Sequence, residues 1–97
     1  MTPAFVNLQF AGVGVGGQPG PRKSYFVIYE FFSRNPGKGE AKAALSLLKA
    51  EFNLVEVTDI GHKGDRSYTF WKKMLRQKLI HAVHDANGVI HRNARSM

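Results

Sequence analysis

The chain of 97 residues has room for one domain with one core, and its hydrophobic content of 43% argues against a disordered segment. It contains no cysteine, which excludes disulfide bonds, thiolate metal sites and a cysteine nucleophile. A formal net charge of +7 favours polyanions, anionic membrane surfaces, phosphorylated cofactors or an acidic protein as partners. No apolar run approaches the roughly 20 residues that span a bilayer, and the first residues lack the basic segment of a signal peptide. We therefore expect one cytoplasmic domain over residues 1–97 that does not use a membrane as its partner.

The first third of the chain is predicted to form strands. Apolar and polar residues alternate from Val6 to Phe10, which is typical of a half-buried strand. Residues 11–23 contain five glycines and two prolines, so we expect a loop or a wide hairpin connection there. Residues 25–33 are rich in aromatic and β-branched side chains and predict a central strand with one polar residue, Glu30.

The rest of the chain alternates between helical and strand patterns. Apolar residues recur at helical spacing from Glu40 to Phe52, and a strand pattern follows at residues 54–60. A second helix is predicted from Tyr68 to about Leu79, and Asn87-Gly88 between two short apolar runs predicts a tight hairpin. Strand, helix and strand in this order make a right-handed parallel βαβ unit. We expect an α/β fold with a small mixed sheet, a β-hairpin followed by β-α-β-α-β, and a helix on each side of the core βαβ unit.

Several short motifs carry no function in this context. Gly12, Gly14 and Gly17 spell GxGxxG, but two prolines and a strand follow where a dinucleotide site needs a helix. The four histidines are interpreted as surface or packing residues, because no cysteine accompanies them, and no metal site is expected. Serine catalysis has no support, since no serine lies in a GxSxG elbow.

The turn between the central strand and the first helix is the strongest signal. Residues 34–39, RNPGKG, fit the pattern [QR]xxGx[GA] and lie between a strand and an amphipathic helix. Gly37 and Gly39 allow successive backbone N–H groups to close around phosphate oxygens, while Arg34 and Lys38 supply positive charge. Pro36 donates no hydrogen bond. The turn predicts an anion site, with an ordinary strand-to-helix connection as the alternative.

With this turn the chain resembles the GNAT family of N-acetyltransferases over about residues 25–91. In that family the same pattern joins a strand to a helix, and its amides bind the pyrophosphate of acetyl-CoA. The resemblance implies a shortened member that moves an acetyl group from acetyl-CoA to an amine of a protein or other macromolecular acceptor. It also implies a set of cofactor-binding residues in the strand, the turn and the second helix: Val27, Tyr29, Arg34, Asn35, Gly37, Lys38, Gly39, Glu40 and Trp71.

The resemblance also implies two catalytic residues. Glu30 is the candidate base, acting through water, and Tyr68 is the candidate acid, because Trp71 stands where the family tends to carry a proton-donating tyrosine. Only 24 residues precede Tyr25, whereas the family places several elements there. We therefore expect a reduced acceptor pocket, or one that a homodimer completes. The small size fits a phage or mobile-element protein that acts on a host protein.

A second class of function stays open. Residues 62–78 carry many cations against one acid, Asp65, and aromatic residues lie among them. This pattern predicts either a nucleic-acid surface or a basic face turned to solvent or a partner. The rival to an acetyltransferase is therefore a catalytically inactive basic module that grips an acidic host protein or nucleic acid. We favour a protein over nucleic acid as the acceptor or partner. The cations of this segment are Lys63, Arg66, Lys72, Lys73, Arg76 and Lys78.

Overall fold

The computed structural model describes residues 6–10, 12–20, 24–35, 37 and 39–97. It contains six strands: β1 (Val6–Phe10), β2 (Val13–Pro19), β3 (Tyr25–Ser33), β4 (Leu54–Val57), β5 (Ala82–His84) and β6 (Ile90–His91). Two α-helices, α1 (Glu40–Glu51) and α2 (Arg66–Arg76), and a 3₁₀ helix at Ala94–Ser96 complete the described chain. No helix in these ranges is both long enough and apolar enough to cross a membrane.

The strands form one sheet in chain order, from β1 to β6. β1, β2 and β3 pair antiparallel, β3, β4 and β5 pair parallel through α1 and α2, and β5 and β6 pair antiparallel. The predicted α/β class, with a hairpin before a β-α-β-α-β segment, is confirmed. The strand predicted before the glycine-rich segment and the central strand have the predicted bounds, and Asn87-Gly88 joins the predicted C-terminal hairpin.

The loop predicted over residues 11–23 is wrong for residues 13–19, which form β2. Val13 and Val15 are fully buried, and the glycines between them leave the opposite face of the strand without side chains. Glycine gives a strand little intrinsic stability, so the pairing of β2 with β1 on one side and β3 on the other holds it in place. Residue 11 and residues 21–23 lie outside the described residues.

Both helices pack on the same face of the sheet, so the expectation of a helix on each side is wrong. Phe26 of β3 stacks on Phe52 at the end of α1, with ring centroids 4.8 Å apart, and Phe31 of the same strand contacts Trp71 of α2 at 5.0 Å. One buried cluster joins both helices to β2, β3 and β4. The cause is topological: β3, β4 and β5 follow one direction across the sheet, and two right-handed crossovers in one direction place both helices on one face.

A β-bulge in β3 shapes the carboxyl end of the parallel strands. Glu30 lies opposite Gly16 and Ile28 opposite Gly17, so Tyr29 is the additional residue of β3. The parallel pairing of β3 with β4 ends at Ile28 and Val57. From Glu30 to Ser33, β3 pairs only with β2 among the described strands. β4 ends at Val57, so the last residues of β3 extend beyond the parallel pairing before the chain enters the turn to α1.

Candidate functional site

The turn from β3 to α1 exposes its backbone. Gly37 has φ 85° and Gly39 has φ 79°, both in the left-handed region that other residues enter at a cost. Both glycines are exposed, and no atom lies within 4 Å of the position that a Cβ would occupy on either. The glycines therefore meet a backbone requirement and leave open space in front of the turn. Pro36 and Lys38, which the sequence placed in the same site, lie outside the described residues.

The first turn of α1 carries backbone donors that no side chain caps. Gly39 is the N-cap, and the first helical hydrogen bond runs from the N–H of Ala43 to the carbonyl of Gly39 at 3.1 Å. The N–H groups of Glu40, Ala41 and Lys42 precede that bond, and no side chain of the described residues caps the helix. The positive end of the helix dipole adds to these donors. This end of α1 is chemically suited to an anion.

The carboxylate of Glu40 folds back toward the sheet. Asn35 donates from Nδ2 to Glu40 Oε1 at 3.4 Å, while Glu40 Oε2 is buried and makes no hydrogen bond within the described chain. Gly12 has φ 96°, and a Cβ on it would collide with Oε2. Glu40 therefore contributes its backbone N–H to the turn, and its negative charge is held against the start of β2.

Arg34 anchors the turn to the neighbouring strand. Its backbone N–H donates to the carbonyl of Gly12 at 2.8 Å, which extends the antiparallel ladder beyond the end of β3. The residue itself is exposed and lines a groove on the face of the sheet away from the helices. The guanidinium is thus carried by backbone that the sheet fixes, beside the open turn.

The predicted strand residues lie on both sides of the end of the parallel pairing. Val27 is half-buried and pairs with Glu56 of β4 before that pairing ends. Tyr29 is the bulge residue, and its side chain is 49% exposed. β3 therefore pairs with β4 at Val27, and Tyr29 lies just beyond the end of that pairing.

The two predicted catalytic residues face opposite sides of the sheet. Glu30 is exposed and lines a groove of about 550 Å³ above the glycines of β2. Tyr68 lies in the first turn of α2, 7% exposed, within the core between helices and sheet. The sheet stands between the two side chains, so within the described chain they do not open into one common cavity.

Trp71 is a packing residue in this structure. It is 5% exposed, and its ring meets Phe31 edge-on at 5.0 Å and Phe70 edge-on at 4.8 Å. Phe31 lies on β3 beyond the bulge, where β4 no longer accompanies it. Trp71 therefore packs α2 against the part of β3 that extends beyond β4, and its ring lies within the core.

A Ser-His-Asp chain near the C-terminus was missed by sequence reasoning. His91 bonds Asp85 Oδ2 through Nε2 and Ser96 Oγ through Nδ1, each at 2.9 Å. Asp85 also accepts from the backbone N–H groups of Asn87 and Val89, and the bond to His91 together with these bonds lowers the pKa of Asp85. Ser96 donates to the carbonyl of Asn93 at 3.1 Å, which engages its hydroxyl in the 3₁₀ turn. The chain fastens the C-terminal segment to the β5–β6 hairpin.

A second network crosses the face of the sheet away from the helices. Tyr25 of β3 bonds Glu56 of β4, and burial together with this bond raises the pKa of Tyr25 to about 12. Glu56 Oε2 also lies 3.2 Å from His84 Nε2 of β5. These three side chains link the three parallel strands. No contiguous sequence motif predicts this network, because its residues come from three separate strands.

No protein-family model, curated protein or solved structure matches this chain. The resemblance to the GNAT family therefore depends on the residues of the turn and on their place between β3 and α1.

Proposed function

We propose that this chain binds acetyl-CoA at the turn between β3 and α1, as an acetyltransferase-like protein whose acceptor is an amine on a protein or other macromolecule. The observation that carries the proposal is the uncapped first turn of α1 behind two exposed left-handed glycines. Such a turn can bind several kinds of anion. The resemblance of residues 25–91 to the GNAT family is the reason for choosing acetyl-CoA among them.

The turn fits a diphosphate. Backbone donors at Gly37, Gly39 and the first turn of α1 offer several N–H groups to neighbouring phosphate oxygens. Each hydrogen bond to a charged group is worth about 1.5–3 kcal/mol, and the helix dipole adds about 0.3–1 kcal/mol. Arg34 supplies a guanidinium from backbone fixed to Gly12. The carboxylate of Glu40 bonds Asn35 within the turn and adds one negative charge beside these donors.

We place the arm of the cofactor along the part of β3 that extends beyond the end of β4. The pantetheine arm carries amides that both donate and accept hydrogen bonds. Ser33 Oγ and Glu40 Oε2, at the end of β3 and the start of α1, are buried and make no hydrogen bond within the described residues. Buried polar atoms without partners are costly, and a ligand amide at the end of β3 would satisfy Ser33 Oγ, whereas Glu40 Oε2 is enclosed against Gly12 on the β2 side. Tyr29 and Ser33 are the strand residues that would hold the arm.

The chemistry of transfer needs a group that accepts a proton from the attacking amine. The bound cofactor supplies the acetyl thioester, and Glu30 supplies a carboxylate on the open face of β3. The groove that Glu30 lines combines polar residues with the exposed ring of Phe32, and Gly14 and Gly16 form its floor. A groove so open does not enclose a small molecule, which favours a side chain presented by a macromolecule as the acceptor.

Calorimetric titration of acetyl-CoA into the wild type and Gly37→Glu tests the binding step. Gly88→Glu is the matched control, because Gly88 is also exposed, has φ 80° and has no atom near its would-be Cβ. Gly37→Glu places a carboxylate at the turn and is expected to lower affinity at least about tenfold, a change of about 1.4 kcal/mol. Equal effects of the two variants, or no binding by the wild type, would overturn the proposal.

Release of free thiol from acetyl-CoA in the presence of a lysine-rich peptide tests the catalytic step. Glu30→Gln should slow release by about 10²–10⁴-fold, as loss of a general base does, while the affinity for acetyl-CoA stays at the wild-type level. Binding of acetyl-CoA without thiol release in the wild type would contradict the catalytic step and leave a protein that only binds the cofactor.

A further inference from the structure

A second region of the molecule concentrates positive charge at the opposite end of the parallel strands. A cavity of about 820 Å³ lies where α1 and α2 end and β4 and β5 begin, and we call it the amino-end cavity. No aspartate or glutamate lines it in the part of the chain that the structure describes. Six cationic residues line it: Lys49, Lys72, Arg76, Lys78, Arg92 and Arg95.

The amino-end cavity is separate from the turn between β3 and α1. The 12 residues of α1 lie between them, which at 1.5 Å per residue is about 18 Å. Like charges that converge on one cavity repel each other and weaken the fold. Folding alone gives no reason to gather six cations there, whereas an anionic ligand does.

The C-terminal half of the cavity is held in place by specific contacts. Arg92 and Arg95 lie on the segment that the Asp85–His91–Ser96 chain fastens to the hairpin. Asn93 accepts from the backbone N–H of Arg95 at 3.1 Å and caps the 3₁₀ helix. Two guanidinium groups are therefore carried to the cavity by backbone with a defined path.

The other half of the cavity offers donors and almost no acceptors. Lys49 donates from Nζ to the carbonyl of Lys78 at 2.6 Å, which brings the end of α1 to the chain that leaves α2. His81 Nδ1 accepts the N–H of Val55 at 3.2 Å, so the neutral ring carries its proton on Nε2 and lines the cavity as a donor. Burial, and then the charge of Lys49, lowers the pKa of His81.

We propose that the amino-end cavity binds a ligand that carries several phosphate groups, at a site independent of the proposed acetyl-CoA site. The three arginines offer planar forks that match phosphate oxygens in pairs. No phenylalanine, tyrosine or tryptophan lines the described cavity, so it offers no such ring on which a nucleic-acid base could stack. The cavity would therefore recognise the phosphate groups of its ligand. The phosphates come either from the backbone of a nucleic-acid duplex or from a small polyphosphorylated molecule.

Two adjacent lysines provide a matched test. Lys72 lines the cavity and Lys73 is exposed on the same helix outside it, so Lys72→Gln and Lys73→Gln remove the same charge at neighbouring positions. Lys72→Gln is combined with Arg95→Gln, and the control combines Lys73→Gln with the exposed Lys63→Gln. Binding of a fluorescent 20-base-pair DNA duplex is measured by anisotropy, and binding of inorganic tripolyphosphate by calorimetry. Both pairs are also made in the Gly37→Glu background, which removes the turn as a competing anion site.

We expect the cavity pair to weaken binding of at least one probe tenfold or more, while the control pair changes it less than twofold. If the duplex is the partner, the salt dependence of its affinity should also fall by about 0.9 in slope for each lost phosphate contact. Tripolyphosphate binding without duplex binding would identify a small phosphorylated ligand. Equal weakening by the two pairs would show that net charge alone attracts the probes and would overturn the proposal. Tighter binding of polyglutamate than of either probe, with the same dependence on the cavity pair, would overturn it in favour of an acidic protein.

Discussion

The anion sites proposed at the two ends of the parallel strands would work by different physics. At the carboxyl end, the turn before α1 presents backbone N–H groups, a helix dipole and glycines that leave space. At the amino end, side chains from α1, α2 and the C-terminal segment converge on a cavity. The first arrangement would recognise a phosphate through geometry, since the donors are fixed by the main chain. The second depends on long side chains and responds strongly to salt.

The two sites also differ in whether they can be predicted from the sequence. The turn is contiguous in residues 34–39, so its pattern and its position between a strand and a helix can be read together. The amino-end cavity joins residues from Lys49 to Arg95 that only the fold brings together. In the sequence its cations look like the solvated face of one helix, because the contributions of α1 and the C-terminal segment lie far away along the chain.

The largest expected effect comes from substitution of Trp71, in the helix that connects the two ends of the parallel strands. α2 begins near the carboxyl end and ends at the amino-end cavity, and Trp71 in its middle packs on Phe31 of β3. Trp71→Ala is expected to lower the free energy of unfolding by about 3–5 kcal/mol, because it empties a large buried site. Urea denaturation followed by circular dichroism measures this loss.

Truncation of the neighbouring ring is the control for Trp71. Phe70 is only half-buried, and Phe70→Ala should cost clearly less than Trp71→Ala. A Trp71→Ala variant of near wild-type stability that has lost acetyl-CoA binding would reverse the assignment, making Trp71 a ligand contact as the family resemblance implied.

The predictable and unpredictable parts of the fold differ in where their stability comes from. β1, β3 and the order of strands and helices were predictable because hydrophobic periodicity is local to each element. β2 was not, since its glycines carry no strand signal and its stability comes from neighbours on both sides. The bulge at Tyr29 depends on the register between β2 and β3, so it has no signal in either strand alone.

Only the main-chain conformation of the candidate site could be predicted from the sequence. The roles of Gly37 and Gly39 follow from the pattern, because positive φ is the property that distinguishes glycine. The path of the Glu40 carboxylate toward Gly12 does not, since those residues are far apart in sequence. The interior position of Trp71 agrees with the helical spacing of Trp71, Leu75 and Leu79 on one side of the predicted helix, whereas the family resemblance assigned Trp71 a ligand role.

Gly12→Ala is expected to have the next largest effect. Of the two proposed sites, it should affect only the turn at the carboxyl end of the parallel strands. Left-handed backbone costs about 1–3 kcal/mol for alanine, and the new methyl group also collides with the Glu40 carboxylate. We expect a loss of about 2–3 kcal/mol in the free energy of unfolding. The displaced carboxylate should also weaken acetyl-CoA binding at the turn.

A double-mutant cycle separates the two contributions. In a Glu40→Ala background the collision is absent, so Gly12→Ala should cost less by about 0.5–3 kcal/mol, and acetyl-CoA affinity should recover. Strict additivity of the two substitutions would contradict the contact between Gly12 and Glu40.

The smallest expected effect measures the positive field of the amino-end cavity. Lys49→Gln should raise the pKa of His81 from its lowered value toward 6.5, because one of the two causes of the lowering is removed. Lys42→Gln, on the same helix but outside the cavity, is the control and should leave this pKa unchanged. An NMR titration of the imidazole protons reports both values.

The sign of the linked stability follows from the same titration. The folded state keeps His81 neutral, so its contribution is fully present above about pH 6.5 and is lost as pH falls through the lowered folded-state pKa. Lys49→Gln should make this loss smaller. A pKa of His81 that does not respond to Lys49→Gln would argue against a field focused on the cavity.

The most direct test of the central claim is a ¹H–¹⁵N correlation spectrum recorded during titration with acetyl-CoA. We predict that the amide signals of Gly37, Gly39 and the first turn of α1 move first and farthest, because these N–H groups would hold the diphosphate. Signals of residues 78–81 and 92–95, at the amino-end cavity, should respond only at higher concentration. Unmoved glycine amides in the presence of bound acetyl-CoA would contradict the account.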